Sequence, residues 1–87
     1  MASYKIIWKK SVKKELRNIH KDYIPQIFAS VEKLTKNPFP PGVKKLSGSE
    51  NTYRVKVADY RIIYEIEQKR LIIQIIRVRH RKDVYKK

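Results

Sequence analysis

Between Thr52 and Arg79 the chain leaves room for little but strands. Thr52 to Val57 alternates Tyr53, Val55 and Val57 against Arg54 and Lys56, the period of two that marks a half-buried strand. Tyr60 to Glu67 repeats the pattern, with Tyr60, Ile62, Tyr64 and Ile66 on one side and Arg61, Ile63 and Glu65 on the other. Leu71 to Arg79 follows, apolar on both sides for most of its length. Only turns at Ala58-Asp59 and Gln68-Lys69 separate the three segments. Connections this short force an antiparallel meander, because parallel neighbours need a crossover of a dozen or more residues. A strand apolar on both faces belongs inside its sheet.

The first half reads differently. Tyr4 to Trp8 alternates Tyr4, Ile6 and Trp8 against Lys5 and Ile7, which predicts a strand placed beside the last one. From about Lys10 the period becomes helical: Val12, Leu16 and Ile19 share a face, with Lys13, Lys14, Arg17 and Asn18 opposite. Ser11 is a weak cap, since no Glu or Gln follows three residues later. Asp22 is the better candidate to cap a second helix, with Pro25 tolerated in its first turn. That helix carries Ile24, Ile27, Phe28, Val31 and Leu34 as its apolar stripe and ends before Asn37-Pro38. A link so short predicts a helix hairpin, with His20 as a surface residue in the link. Residues 37–51 hold three of the four prolines and both glycines and read as an ordered loop, with Val43 to Leu46 as a short extended piece.

The expected fold is therefore α+β: an N-terminal strand, a helix hairpin, then a three-stranded antiparallel meander. The helices cover one face of a four-stranded antiparallel sheet within one domain spanning residues 1–87, and bury Val12, Leu16, Ile19, Ile27, Val31 and Leu34. The other face stays open and displays Arg54, Lys56 and Arg61.

Charge narrows the partners. Hydrophobic residues at 41% supply a core, while 22 Lys and Arg against 8 Asp and Glu leave a net +14. Solubility of a small domain needs only about 2 to 8, so the excess points to a polyanion: nucleic acid, an acidic protein or an anionic membrane. A membrane fits least, because no apolar run approaches the roughly 18 residues of a spanning helix and no signal-peptide pattern opens the chain. The cytoplasm is the expected compartment. With no cysteine and only His20 and His80, widely separated, neither a disulfide nor a zinc site is expected, and no cofactor is signalled.

Alternation sets Arg54 and Lys56 on one side of their strand, about 7 Å apart, and Arg61 returns beside them across the tight turn. The last strand runs into Arg77-Val78-Arg79-His80-Arg81-Lys82-Asp83-Val84-Tyr85. If it ends nearby, Arg79 to Arg81 close a basic concavity with Tyr85 at its rim. Alternating polar residues occur on any half-exposed strand, and Lys44 and Lys45 are equally explained as a solvated loop or as contacts to a phosphate backbone. The tail is more telling, because Arg77, Arg79, Arg81 and Lys82 repel one another without evident gain to the fold. Such a concavity suits a phosphodiester. Cutting RNA without a metal needs a base for the ribose 2′-hydroxyl, cations for the phosphorane oxygens and an acid for the leaving 5′-oxygen. Arginines suit the second task but are poor bases. Base or acid function thus falls to Lys56 or His80, and Tyr85 is equally explained as a ring that stacks on a nucleobase or as an ordinary packing aromatic.

The order of elements, Lys45-Leu46-Ser47-Gly48, Tyr53-Arg54-Val55-Lys56-Val57, Asp59-Tyr60-Arg61-Ile62-Ile63-Tyr64 and the ending Arg77 to Tyr85 resemble the RelE/ParE toxin superfamily, on its RelE side. The resemblance implies the toxin of a toxin–antitoxin pair, a metal-independent, ribosome-dependent endoribonuclease that cuts mRNA in the A site and leaves a 2′,3′-cyclic phosphate. It further implies that Lys56 is a catalytic lysine, Arg61 a phosphate-binding arginine, Arg81 an arginine near the leaving group and Tyr85 the base-stacking tyrosine. Arg54 stands where relatives carry a lysine proposed as part of the base, and arginine stays protonated, which returns that role to Lys56 or His80. The chain stops two residues past Tyr85, so a terminal helix found in some relatives is expected to be missing or reduced. An acidic, amphipathic antitoxin is the implied partner, together with the ribosome and mRNA, and DNA is met only through the antitoxin. Two other readings use the same features: a ParE-like toxin that poisons DNA gyrase by protein contact, and a non-enzymatic RNA or ribosome binder.

Overall fold

The structure, a computed structural model, describes residues 3–84. Strand β1 (Lys5–Trp8) leads into helix α1 (Lys10–Arg17), a 3-10 turn (Lys21–Tyr23) and helix α2 (Ile24–Leu34). A two-residue strand β2 (Lys44–Lys45), then β3 (Thr52–Val57), β4 (Tyr60–Glu67) and β5 (Ile72–His80) complete the sheet, and α3 (Arg81–Val84) closes the described chain. No helix among the described residues is long and apolar enough to cross a membrane.

The five strands lie in the order β1-β5-β4-β3-β2. Two features depart from the expected four antiparallel strands. Lys44 and Lys45 pair antiparallel with Arg54 and Tyr53, which adds a fifth strand. The β1 strand pairs with β5 in parallel, Lys5 opposite Ile72 through Trp8 opposite Ile75. The helices carry the chain away from β1 before it re-enters the sheet, so no hairpin constrains their relative direction, and the sheet is mixed.

Apolar parity fixes the helix-covered face. Ile62, Tyr64, Ile66, Ile73, Ile75 and Val78 from the two middle strands are buried with Val12, Ile27, Val31 and Leu34 from the helices, and Ile19 joins them. Along β5 this parity holds only because of a register shift. Tyr64 faces Ile75 whereas Ile63 faces Arg77, which leaves Ile76 as an extra residue. Strict alternation from Ile73 and Ile75 would turn Arg77 and Arg79 into the core. The bulge instead points Val78 inward, 1% exposed, and turns the two arginines to the open face.

The helix starts are weaker than expected. Lys9 precedes α1 without any side-chain cap, and Asp22 caps nothing, since it sits inside the 3-10 turn. His20 caps that turn: its Nδ1 accepts the Asp22 N–H at 3.2 Å. Its imidazole stays exposed. Pro25 falls in the first turn of α2, where its missing N–H matters least.

The proline-rich loop is held by the core. Tyr64, wholly buried, donates its hydroxyl to the Pro38 carbonyl at 2.8 Å. Its ring lies 6.2 Å from Tyr53, which meets Phe39 edge-on at 5.2 Å. Removing that hydroxyl with Tyr64→Phe leaves the carbonyl without this donor and should cost about 1–3 kcal/mol, or about 4–8 °C of Tm per kcal/mol in a chain of this size. Burial pushes the phenol's pKa up, and Tyr53 adds to the shift. A raised pKa means the native state favours the protonated phenol, so its contribution is full below about pH 10 and declines as pH rises further. Urea denaturation from about pH 8 to about pH 11 should show the parent protein losing stability at the alkaline end and Tyr64→Phe losing less.

Candidate functional site

The two-residue turn at Ala58 and Asp59 sets Val57 opposite Tyr60, and therefore Lys56 opposite Arg61. The next ladder sets Arg61 opposite Arg79. Neighbouring strands run about 4.8 Å apart, so three cations cross β3, β4 and β5 in one row on the open face. A second row runs Lys44, Arg54, Ile63, Arg77. Like charges directly opposite on a sheet oppose folding by a few tenths to about 1 kcal/mol per pair. Lys44–Arg54, Lys56–Arg61 and Arg61–Arg79 are three such pairs.

Four of these residues, Lys44, Arg54, Lys56 and Arg61, line one concavity. A cleft of about 250 Å³ is bounded by Gly42, Lys44, Arg54, Lys56 and Arg61, with no acidic residue in its wall among the described residues. Gly42 adopts φ +84 as the loop turns into β2, a conformation that costs glycine little. Arg61 is steadied by Nη1, which donates to the Tyr60 carbonyl at 3.3 Å. Four cations around one cleft set up a positive field of the kind that can hold an anion.

The remaining sequence-predicted residues divide around this cleft. Arg77 is exposed on the open face opposite Ile63, and Arg79 closes the first row. Lys45 stands opposite Tyr53 and lines no part of the cleft. Arg81 sits at the β3–β4 turn: its N–H donates to the Asp59 carbonyl at 2.7 Å and its Nε lies 4.0 Å from the Asp59 carboxylate. His80 pairs with Tyr60 and therefore lies on the helix face, opposite to Arg61 and Arg79. Its ring meets Tyr60 edge-on at 5.4 Å, and its Nδ1 accepts the Lys82 N–H at 3.2 Å. Tyr85 falls outside the described residues. Among the described residues, no group of three or more His, Cys, Asp or Glu side chains is placed to hold a metal ion.

One residue at the site was missed. Glu15, on α1, accepts the Val78 N–H at 3.1 Å and the Arg79 Nε at 2.8 Å. Its signal lay in the helical stripe, because Glu15 falls between Val12, Leu16 and Ile19 on the face that turns inward. An acid on a buried stripe needs a partner.

With this geometry in hand, similarity to known proteins is informative. Residues 6–85 match the family described as the ParE toxin of type II toxin–antitoxin systems, parDE. The RelE1 protein of Methanocaldococcus jannaschii is 30% identical over 80 residues, covering 88% of this chain and 89% of its own length. The archaeal RelE–RelB complex from Pyrococcus horikoshii is similar in structure with a TM-score of 0.80 at 29% identity, over 90% of this chain and 94% of that one. The RelB–RelE antitoxin–toxin complex from Methanococcus jannaschii gives 0.69 at 28% identity, over 91% and 94% of the two chains. The isolated RelE toxin of E. coli shares the fold, with a TM-score of 0.77 at 20% identity over 88% of this chain and 83% of its own.

Like charges set opposite one another should weaken the protein by itself. Arg61→Gln removes the member of the row that faces both Lys56 and Arg79 and should raise stability at low salt by about 0.3–1 kcal/mol. The gain should shrink as added salt screens the row. Melting curves at low and high ionic strength check both statements.

Proposed function

The chain belongs to the RelE/ParE toxin superfamily of type II toxin–antitoxin systems, and from that premise we propose that it is a ribosome-dependent endoribonuclease. In this reading it cleaves mRNA in the A site by attack of a ribose 2′-hydroxyl on the adjacent phosphodiester. The observation that carries the proposal is the cation row Lys56–Arg61–Arg79 beside a cleft walled by Lys44 and Arg54.

The 2′-oxygen forms a bond to phosphorus while the bond to the 5′-oxygen breaks, which leaves a 2′,3′-cyclic phosphate and a 5′-hydroxyl. Arg54, Arg61 and Arg79 hold the non-bridging oxygens, where negative charge grows in the transition state. Lys56 takes the proton of the 2′-hydroxyl. Its position in the cleft wall beside Arg61 favours it over His80, which packs on the opposite face. The proton passes on to the 5′-oxygen, which Arg81 stabilises as it leaves. Arg77, Lys44 and Lys45 bind flanking phosphates, and Tyr85 stacks on the base.

The two archaeal structures named above are complexes with the antitoxin RelB, and a net charge of +14 suits a cognate antitoxin that is acidic and amphipathic. The ribosome and mRNA are the targets, in the cytoplasm, and DNA is reached only through the antitoxin. A second reading, a gyrase-inhibiting toxin, is favoured by the match to ParE toxins. It gives no use to three cross-strand cation pairs. A third, an RNA or ribosome binder without catalysis, uses the same cations to hold phosphates only.

One experiment separates them: purified protein is added to a translation reaction, mRNA 5′ ends are mapped by primer extension, and gyrase supercoiling is assayed in parallel. Cuts confined to translated codons are expected. Intact message with blocked supercoiling supports the gyrase reading, and intact message with ribosome binding supports the binder. Arg61→Ala should lower cleavage about 10²- to 10³-fold, as loss of one transition-state donor does, without loss of antitoxin binding. Lys56→Arg keeps the charge but cannot accept a proton, so cleavage at the parent rate would restrict Lys56 to phosphate binding.

A further inference from the structure

Beyond the end of β1, strand β5 has no further strand partner on that side among the described residues. The parallel ladder stops with Trp8 opposite Ile75, and the Lys9 N–H donates to the Ile75 carbonyl at 3.1 Å. Past that point α1 lies along β5, and Glu15 supplies what the missing strand does not, since its Oε1 accepts the Val78 N–H at 3.1 Å. The other carboxylate oxygen serves a different group. Oε2 accepts the Arg79 Nε at 2.8 Å, with the two side chains 19% and 38% exposed for Glu15 and Arg79.

We propose that Glu15 is a positioning residue that fixes Arg79 by its inner Nε–H and so aims the outer guanidinium edge at the scissile phosphate. The inference rests on the endoribonuclease reading. Arginine carries five N–H donors, one on Nε and four on the terminal nitrogens. A carboxylate on Nε leaves the outer pair of donors for two phosphate oxygens, the bidentate arrangement arginine makes with phosphate. The backbone bond to Val78 anchors the carboxylate itself, so Arg79 is referred to the backbone of its own strand β5 and not to a freely rotating acid. Arg61, its cross-strand neighbour, is tethered in the same spirit by Nη1 to the Tyr60 carbonyl at 3.3 Å. Both cations are thus oriented before any ligand arrives, the condition for electrostatic stabilisation of a transition state. Glu15 also neutralises one end of the row, which lets Arg79 stand opposite Arg61 at lower electrostatic expense.

A merely structural Glu15 would close the β5 edge and do nothing through Arg79, and a mutant cycle tells the two apart. Glu15→Gln keeps an amide oxygen for the Val78 N–H but has no charge for Arg79. Single-turnover cleavage of translated mRNA is measured for the parent, Glu15→Gln, Arg79→Ala and the double variant, with melting curves for each. Glu15→Gln should slow the cleavage step about 10-fold at unchanged half-saturation, and in the Arg79→Ala background it should add less than about 2-fold. Parent-like cleavage by Glu15→Gln, or losses that multiply in the double variant, would overturn the inference while the endoribonuclease reading stands. Intact message with the parent protein would remove that reading, and the inference with it. Where Glu15→Gln fails to fold, the parent protein answers alone. Its Arg79 Nε–H should give an NMR resonance protected from solvent exchange and insensitive to salt, and a rapidly exchanging one overturns the proposal.

Discussion

One extra residue decides which way the arginines of β5 point. A sheet with one buried face allots side chains by parity, and a shift of one residue sends every later side chain to the other side. Ile73 and Ile75 are buried, so uninterrupted alternation would commit Arg77 and Arg79 to the core. Burying a guanidinium without a partner is far more costly than a local break in the ladder. The bulge at Ile76 resolves the conflict, sends Val78 inward and brings Arg79 opposite Arg61. The cation row, the pairing with Glu15 and the covered edge of β5 all follow from that displacement.

The open face shows the opposite of what stability alone would select. Cross-strand neighbours of like charge work against folding, and the sheet carries Lys44–Arg54, Lys56–Arg61 and Arg61–Arg79. The fold tolerates them because its cohesion lies on the other face, where Ile62, Tyr64, Ile73 and Ile75 are fully buried beneath Val12 and Ile27. A two-faced sheet separates the task of holding together from the task of binding. The acids near the row do not dilute the cleft. Glu15 reaches it from α1 and engages Arg79, Asp59 faces Arg81 at the turn, and neither lines the wall formed by Lys44, Arg54, Lys56 and Arg61.

Much of this was legible in the sequence, and the rest was hidden for physical reasons. The boundaries of β3 and β4 follow from Tyr53-Val55-Val57 and Tyr60-Ile62-Tyr64-Ile66, because a half-buried strand must alternate and a two-residue turn leaves no slack. The helix stripes were equally plain apart from Phe28, which the structure leaves 45% exposed. The β2 strand was not, since two lysines cannot show a period. Parallel pairing of β1 was hidden because alternation is the same in either direction. The bulge was masked by its own surroundings: Ile72, Ile73, Ile75 and Ile76 are apolar on both sides, and only the odd spacing from Gln74 to Arg77, both on the open face, marks that parity changes between them. The cap at the helix link was misassigned to Asp22 because an acid is the usual acceptor there, whereas the imidazole of His20 fills that place. Glu15 was readable in principle as an acid on an apolar stripe, but its partner lies more than sixty residues away and no local spacing points to it.

The end of β5 shows how alternation distributes labour between adjacent residues. Arg79 turns outward to the cation row, and His80 turns inward to pack edge-on against Tyr60, which in turn meets Tyr23 at 5.5 Å. The His80 Nδ1 accepts the Lys82 N–H, and the Arg81 N–H donates to Asp59 across the β3–β4 turn. These bonds fix the direction in which the chain leaves the sheet. An imidazole whose Nδ1 accepts a backbone N–H and whose ring packs edge-on with a buried tyrosine has less freedom to approach a ligand on the other side of the sheet. Lys56 faces Arg61 directly and borders the cleft. Within one strand end, then, charge is sent to the open face and ring packing to the covered one, which leaves His80 on the opposite side of the sheet from the cleft that Lys56 borders.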